Sequence, residues 1–217
     1  MRIVPPTPDH ELRQLWMGRR AIGASSAELI LKGSVRYGRR VETLHAKWEY
    51  ITNRKDADPQ TEAMLLGLEQ EPLIRARWQE YIRAQGEPLD IIDDEHDFLV
   101  AQIDWLSYEG DRAADFKHTT SDWVWENVQK ITRASNLLSE GTKMDGWFIS
   151  AQHQLMILGL PQIDYYVRWQ DFDAAHLIVK RDEPFIARMR AAEVAFWNEC
   201  VIADKPPQSK KVKMVMD

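Results

Sequence analysis

The amino-acid order predicts a mixed α/β domain, with one central five-stranded mixed sheet flanked by helices. Three observations carry this. Long segments with apolar residues at helical spacing are interleaved with short apolar segments of strand character. Their order is helices, three strands, helices, two strands and a last helix, which suits a sheet covered by helices. The chain has 217 residues, 44% hydrophobic and 29% charged, enough for one sizeable core and ordinary for a globular protein. Residues 1–205 are expected to form a single domain, and 206–217 a flexible basic tail.

The elements follow in order. Asp9 to Met17 reads as a helix with Asp9 as its N-cap. Ser25 or Ser26 can cap a short helix through Leu31. Val41, Leu44, Trp48 and Ile51 have helical spacing. A longer helix is expected from about Pro59 to Gln85, and Pro72 inside it should kink it or mark a break. Strands are expected near Leu89–Ile92, Phe98–Asp104 and Ala113–His118, then helices near Ser121–Leu138 and Met144–Leu158. Strands near Ile163–Trp169 and Ala175–Lys180 precede a last helix from Pro184 to Cys200.

Bulk properties exclude several classes. Cys200 is the single cysteine, so one chain holds neither an internal disulfide nor a cysteine-ligated zinc or iron–sulfur site, and a reducing cytoplasmic setting is expected. The N-terminal stretch breaks on Pro5 and Pro6 and has no apolar signal region, and no apolar run approaches membrane-span length. The formal net charge of −6 disfavours nucleic-acid binding by bulk charge, but leaves room for a local basic patch. The six histidines, His10, His45, His96, His118, His153 and His176, offer no pair at metal-ligand spacing on one helix. The nine tryptophans read as core and subunit contacts rather than base-stacking platforms.

The stretch from Phe98 to His118 carries the chemistry. It reads Phe-Leu-Val-Ala-Gln-Ile-Asp104-Trp, a polar turn, then Ala-Ala-Asp115-Phe-Lys117-His. Residues i and i+2 of a strand share a side, so Asp115 and Lys117 project together. A hairpin between the two segments brings Asp104 beside them. Two carboxylates and an ammonium suit a hard divalent cation and a water to be activated.

Around that stretch lie Ile22-Gly-Ala-Ser25, Gly67-Leu-Glu-Gln-Glu71-Pro72, Ala-Gln-Ile-Asp104, Asp115-Phe-Lys117, Ala-Gln152-His-Gln154, and the late Lys-Arg-Asp182 with Phe196-Trp197. In this order the sequence resembles the lambda exonuclease family, the YqaJ-type viral recombinases, within the PD-(D/E)xK nucleases. The resemblance runs from about Trp16 to Trp197. Three positions depart from the family's usual pattern: Ile103-Asp104-Trp105 stands for Pro-Asp-Gly, Asp115 for a glutamate, and the arginine before Ile22 is displaced by about one residue.

The resemblance implies a restriction-endonuclease-like core and a magnesium-dependent 5′→3′ double-stranded DNA exonuclease that leaves 3′ single-stranded tails. Asp104, Asp115, the Phe116 carbonyl and Glu71 would hold two Mg2+ ions, with Mn2+ a possible substitute. Lys117 would orient and help deprotonate the attacking water, or stabilise the phosphate as charge builds. Gln152 would hydrogen-bond within the active site. Arg19 or Arg20, with Ser25, would receive the terminal 5′-phosphate, and Met64 or Leu65 would form the wedge that splits the duplex end. Implied partners are linear double-stranded DNA, two further copies in a trimeric ring and a single-strand annealing protein, in the cytoplasm of a bacterial host carrying a phage or prophage.

Plainer readings stand beside these. Asp104 can end a strand, Asp115 and Lys117 can be a surface ion pair, and Glu71 can belong to a charged helix face with Glu69, Arg75 and Arg77. Gln152, within an apolar stripe, needs a partner that is either the active site or a backbone group. Ser25 serves equally as a helix cap. Arg36, Arg39 and Arg40, with Lys32, either track a DNA backbone or form a solvated loop, and Lys210, Lys211 and Lys213 in the tail touch DNA or nothing. Another PD-(D/E)xK endonuclease or repair nuclease, and a catalytically silent DNA-end-binding module, are the competing functions.

Overall fold

A computed structural model describes residues 2–4, 21–37, 40–170 and 173–208. The expected helix from Asp9 to Met17 and the basic tail lysines lie outside the described residues. The expected strands pair as β4 (Gly86–Ile92), β5 (Val100–Ser107), β6 (Ala113–Thr119), β7 (Gln162–Trp169) and β8 (Asp173–Lys180). A short β1 (Arg2–Val4) extends this sheet by one edge strand, in the order β1-β4-β5-β6-β7-β8. The sheet is mixed because β6 and β7 run parallel while the other neighbours are antiparallel. Among the described residues no helix is long and apolar enough to cross a membrane.

Helices cover both faces. Helix α1 (Ala24–Lys32), α2 (Leu44–Ile51), α5 (Asp145–Leu158) and α6 (Glu183–Phe196) share one large core with the sheet. On the opposite face α3 (Glu62–Ile82) lays Ile74 and Trp78 on Trp105, Ala114 and Phe116. Helix α4 (Asp122–Ala134) packs beside β8, where Trp125 stacks on Trp169 with ring centroids 5.7 Å apart. The caps follow local chemistry. Thr61 accepts the Met64 N–H to start α3, Ser121 accepts the Val124 N–H to start α4, and Asp182 accepts the Phe185 N–H to start α6.

Four expectations change. Residues 41–43 are strand, not helix: β2 (Ser34–Tyr37) and β3 (Arg40–Thr43) form a hairpin, and Thr43 then caps α2 by accepting the Ala46 N–H. Val41 belongs to the outside of that hairpin, so its spacing to Leu44 was coincidental. Helix α1 begins two residues earlier than a Ser25 cap requires, with Gly23 as N-cap and no side-chain cap bond. Helix α3 runs unbroken through Pro72. The last helix ends as α at Phe196 and continues as a π-helical turn over Trp197–Ile202.

Gly86 shows how tightly α3's end and the sheet meet. A Cβ there would stand 2.1 Å from the Leu106 carbonyl oxygen and 2.6 Å from the Trp105 ring, so only glycine fits. Gln79 of α3 completes this junction, its Oε1 accepting from the Gly86 N–H at 3.0 Å and from the Trp105 indole at 3.2 Å.

Candidate active site

The site forms where β5 and β6 part. Their antiparallel pairing covers only Trp105↔Ala114 and Leu106↔Ala113. The next pair in that register is Asp104 opposite Asp115, and there the ladder stops. The Phe116 N–H, left without a carbonyl across the gap, donates to Asp104 Oδ2 at 2.7 Å instead. One carboxylate oxygen thus does a backbone carbonyl's work, and the acid is fixed beside its neighbour strand.

Alternation along the strands sorts the side chains. Trp105 and Phe116 point to α3, where Trp105 meets Trp78 edge-on with centroids 6.2 Å apart. Asp115 and Lys117 therefore point to the other side, and Asp104, at a register shift in β5, reaches across the gap to the Phe116 N–H. The tryptophan beside Asp104 fills the α3 core. Asp115 is 4% exposed and Asp104 is half-buried.

Charge compensation within the site is local. Lys117 Nζ forms an ion pair with Asp115 Oδ1 and lies 5.5 Å from the centre of the buried Tyr165 ring. Gln154 of α5 donates from Nε2 to Asp115 Oδ2 at 3.0 Å and to the Gln102 carbonyl at 3.1 Å. Arg75 of α3 pairs with Glu71 through Nη2 and donates from Nε to the Asp104 carbonyl at 3.0 Å. Glu71 is thereby tethered next to the aspartates, and its charge is felt at Asp104.

The electrostatics of the acid cluster are set by burial and by its neighbouring charges. Burial, and then the Asp115 carboxylate, push the Asp104 carboxyl up to about 8, against the opposing pull of Lys117. Burial opposes the Lys117 charge, but Asp115, Asp104 and Glu71 outweigh it and hold its pKa above the ordinary lysine range. Lys117 is therefore a fixed cation in this arrangement. Asp115 Oδ1 has the lysine charge beside it but no hydrogen-bond donor aligned on it. Once Asp104 gives up its proton, three acids face two cations, which leaves a net negative cluster of hard oxygen donors. No tight group of three or more histidine, cysteine or acidic side chains occurs among the described residues. Magnesium does not demand one, since it is commonly held by one or two carboxylates with water completing its shell.

The other expected residues divide. Gln152 does not hydrogen-bond within the acid cluster: its Nε2 donates to the Lys180 carbonyl at 2.7 Å and its Oε1 accepts the Asp182 N–H at 2.9 Å. Two residues apart on a helix means about 200° of rotation, so only one of Gln152 and Gln154 can face the acids. Gln154 is the one that does. Ser25 is exposed in the first turn of α1, whose leading residue Ile22 bridges to the start of β5 through Val100 N–H→Ile22 O at 3.0 Å. Met64 and Leu65 are exposed near the start of α3, and Met64 lies two turns before Glu71 on one side of the helix. Arg36 is exposed on the separate β2–β3 hairpin, whereas Lys32 is paired with Glu28 and Asp145. Arg19, Arg20 and Arg39 lie outside the described residues, as does the side chain of Arg40.

Arg75, Gln154 and Tyr165 were not anticipated as site residues. Arg75 stands four residues after Glu71, a spacing that places the pair on one face. Tyr165 had no sequence signal beyond its strand position.

No family model matches the sequence, and no curated protein does. Solved structures do match. An alkaline exonuclease from Laribacter hongkongensis, LHK-Exo, aligns with TM-score 0.65 and 17% identity over 86% of this chain and 90% of that one. The same enzyme in complex with dAMP gives 0.67 and 16% over 88% and 93%. A phage-related exonuclease from Haemophilus somnus gives 0.57 and 12% over 85% and 96%. At these identities the likeness speaks for the fold, and the mixed sheet flanked by helices in this chain is the restriction-endonuclease-like fold of those alkaline and phage-related exonucleases.

Proposed function

We propose that the chain is a magnesium-dependent 5′→3′ exonuclease acting on double-stranded DNA. The observation that carries this is the parting of β5 and β6 at Asp104 and Asp115, with Lys117 and Glu71 gathered beside them. That donor set lies in a fold shared with solved exonucleases, one of which was crystallised with dAMP. A nucleoside monophosphate is the kind of product that stepwise hydrolysis from a strand end releases.

Asp104, Asp115, the Phe116 carbonyl and Glu71 would hold the metal, as two Mg2+ ions or with Mn2+ in their place. When bound, the metal supplies an activated water and neutralises charge on the phosphate. The chain's own groups do the rest. Lys117, protonated and fixed by Asp115, meets the negative charge that builds on the phosphate. Gln154 and Arg75 hold Asp115 and Asp104 in place. Ser25 with Arg19 or Arg20 receives the terminal 5′-phosphate, the first-turn N–H groups of α1 adding to the pull on an anion. Met64 and Leu65, apolar and exposed, serve as the wedge at the duplex end. Arg36, Arg39 and Arg40 track the backbone of the incoming duplex. The product, a duplex with a 3′ tail, suits an annealing protein in phage-type recombination, and a trimeric ring in the cytoplasm completes the reading.

The test uses linear duplex with a 5′-phosphate on one strand, with and without magnesium. Progressive, magnesium-dependent loss of that strand to mononucleotides is expected. Cleavage of closed circular DNA would indicate an endonuclease instead, and binding without hydrolysis would indicate a silent end-binding module.

A further inference from the structure

Beyond its short pairing with β6, the edge of β5 does not go unsatisfied. Carbonyls of alternate residues in a strand point to the same edge, and three in succession are met by side chains. Asp104 O accepts from Arg75 Nε at 3.0 Å, Gln102 O from Gln154 Nε2 at 3.1 Å, and Val100 O faces His153 Nε2 at 2.9 Å. A side-chain ladder thus replaces the missing strand, and the acids sit at the end where it begins.

His153 is the most costly rung. It is fully buried, and its other ring nitrogen lies 2.8 Å from Oε1 of Glu193, a fully buried carboxylate on α6. A carbonyl can only accept, so Nε2 must carry a proton. Nδ1 then either donates to an ionised Glu193 or accepts from a protonated one. Either way Glu193 selects the ring state that can bond Val100. Burial opposes the imidazolium, but Glu193 and the Val100 carbonyl outweigh it and raise the His153 pKa. Burying such a pair in the core rarely adds stability over apolar residues of the same volume, which leaves its geometry as its use.

We propose that His153, oriented by Glu193, is a positioning residue that holds the unpaired edge of β5 open and thereby sets Asp104 against Asp115. The proposal rests on the metal-dependent nuclease reading for its consequence, but not for its geometry. Without the His153 rung the Val100 carbonyl must find water or a β6 N–H. Either choice shifts β5 and loosens the Asp104–Phe116 bond.

The geometry is read in metal-free protein by amide hydrogen exchange at Phe116, whose N–H bonds Asp104, against Ala101, which belongs to the β4–β5 pairing. In Glu193→Leu, which removes the partner of Nδ1, and in His153→Ala, Phe116 should exchange about tenfold faster while Ala101 does not change. His153→Gln can still donate to the Val100 carbonyl and should restore protection. Calorimetry with Mn2+ should then show about tenfold weaker binding in Glu193→Leu than in the unaltered protein. Should His153→Ala fail to fold, Glu193→Leu decides. Unchanged Phe116 exchange in a folded Glu193→Leu protein overturns the proposal, whatever happens to its melting temperature. Absence of Mn2+ binding by the unaltered protein would instead overturn the metal reading, and Phe116 exchange would still judge the positioning role.

Discussion

Asp104 carries two duties that pull against each other. One oxygen closes the gap between strands by accepting the Phe116 N–H, which favours the ionised form, while burial and Asp115 favour the protonated one. The second influence wins, so the folded protein holds a proton that the unfolded chain releases near pH 4 and the folded one near pH 8. Across that window the native state binds more protons, so stability falls as pH rises. The metal-free melting temperature should therefore decline from about pH 5 to about pH 8 more steeply than in Asp104→Asn. Magnesium should raise it more at the higher pH, where no proton competes. Equal slopes in the two proteins would remove Asp104 from this role. The glutamines give a second contrast at this scale. Gln154→Ala frees a buried Asp115 oxygen and should lower metal affinity and turnover about 10- to 100-fold. Gln152→Ala breaks a tie between α5 and the end of β8, and should lower the melting temperature while leaving metal affinity in place. The reverse pattern, measured by calorimetry and thermal melts, would return the catalytic role to Gln152.

At the level of elements, α3 is the piece that crosses from core to site. Its second half is anchored by Ile74, Trp78 and Gln79, while Arg75 reaches back to Glu71 and on to the Asp104 carbonyl. Arg75→Gln keeps the helix but loses the ion pair, so turnover should fall about 10- to 100-fold with helix content unchanged by circular dichroism. Undiminished turnover would show that Glu71 needs no tether. This helix and the β5–β6 hairpin were legible from sequence because their signals are local: apolar spacing, and alternation about Asp115 and Lys117. The β2–β3 hairpin was not, because Val41, Leu44, Trp48 and Ile51 imitate a helix and the strand boundary at Thr43 shows only as a cap. The parting of β5 and β6 was also hidden. No residue type announces where a ladder ends, and the partners that fill the gap, Arg75, Gln154 and His153, come from helices far along the chain. The choice between Gln152 and Gln154 depended on the rotation of α5, which apolar neighbours on every side of that helix leave undefined.

For the molecule as a whole, the proposed exonuclease reading poses the problem of how a chain of net charge −6 would keep hold of a polyanion. Two of its described basic side chains nearest the site, Lys117 and Arg75, are already paired with acids. Attraction by surface charge alone would be modest and would weaken steeply with salt. A closed ring solves this without new charge, because a threaded duplex cannot leave sideways. Helix α3 also offers material for contacts between copies, since Leu73 and Tyr81 are 54% and 60% exposed. The trimer reading therefore makes two linked predictions. Light scattering should give a mass about three times the 25.3 kDa of the chain. In a digestion started on labelled duplex and then flooded with unlabelled competitor, the length degraded per binding event should change little between about 50 and 200 mM salt. The fraction of ends engaged should fall sharply over the same range. A monomer whose run length collapses with salt would mean that charge, not topology, holds the DNA.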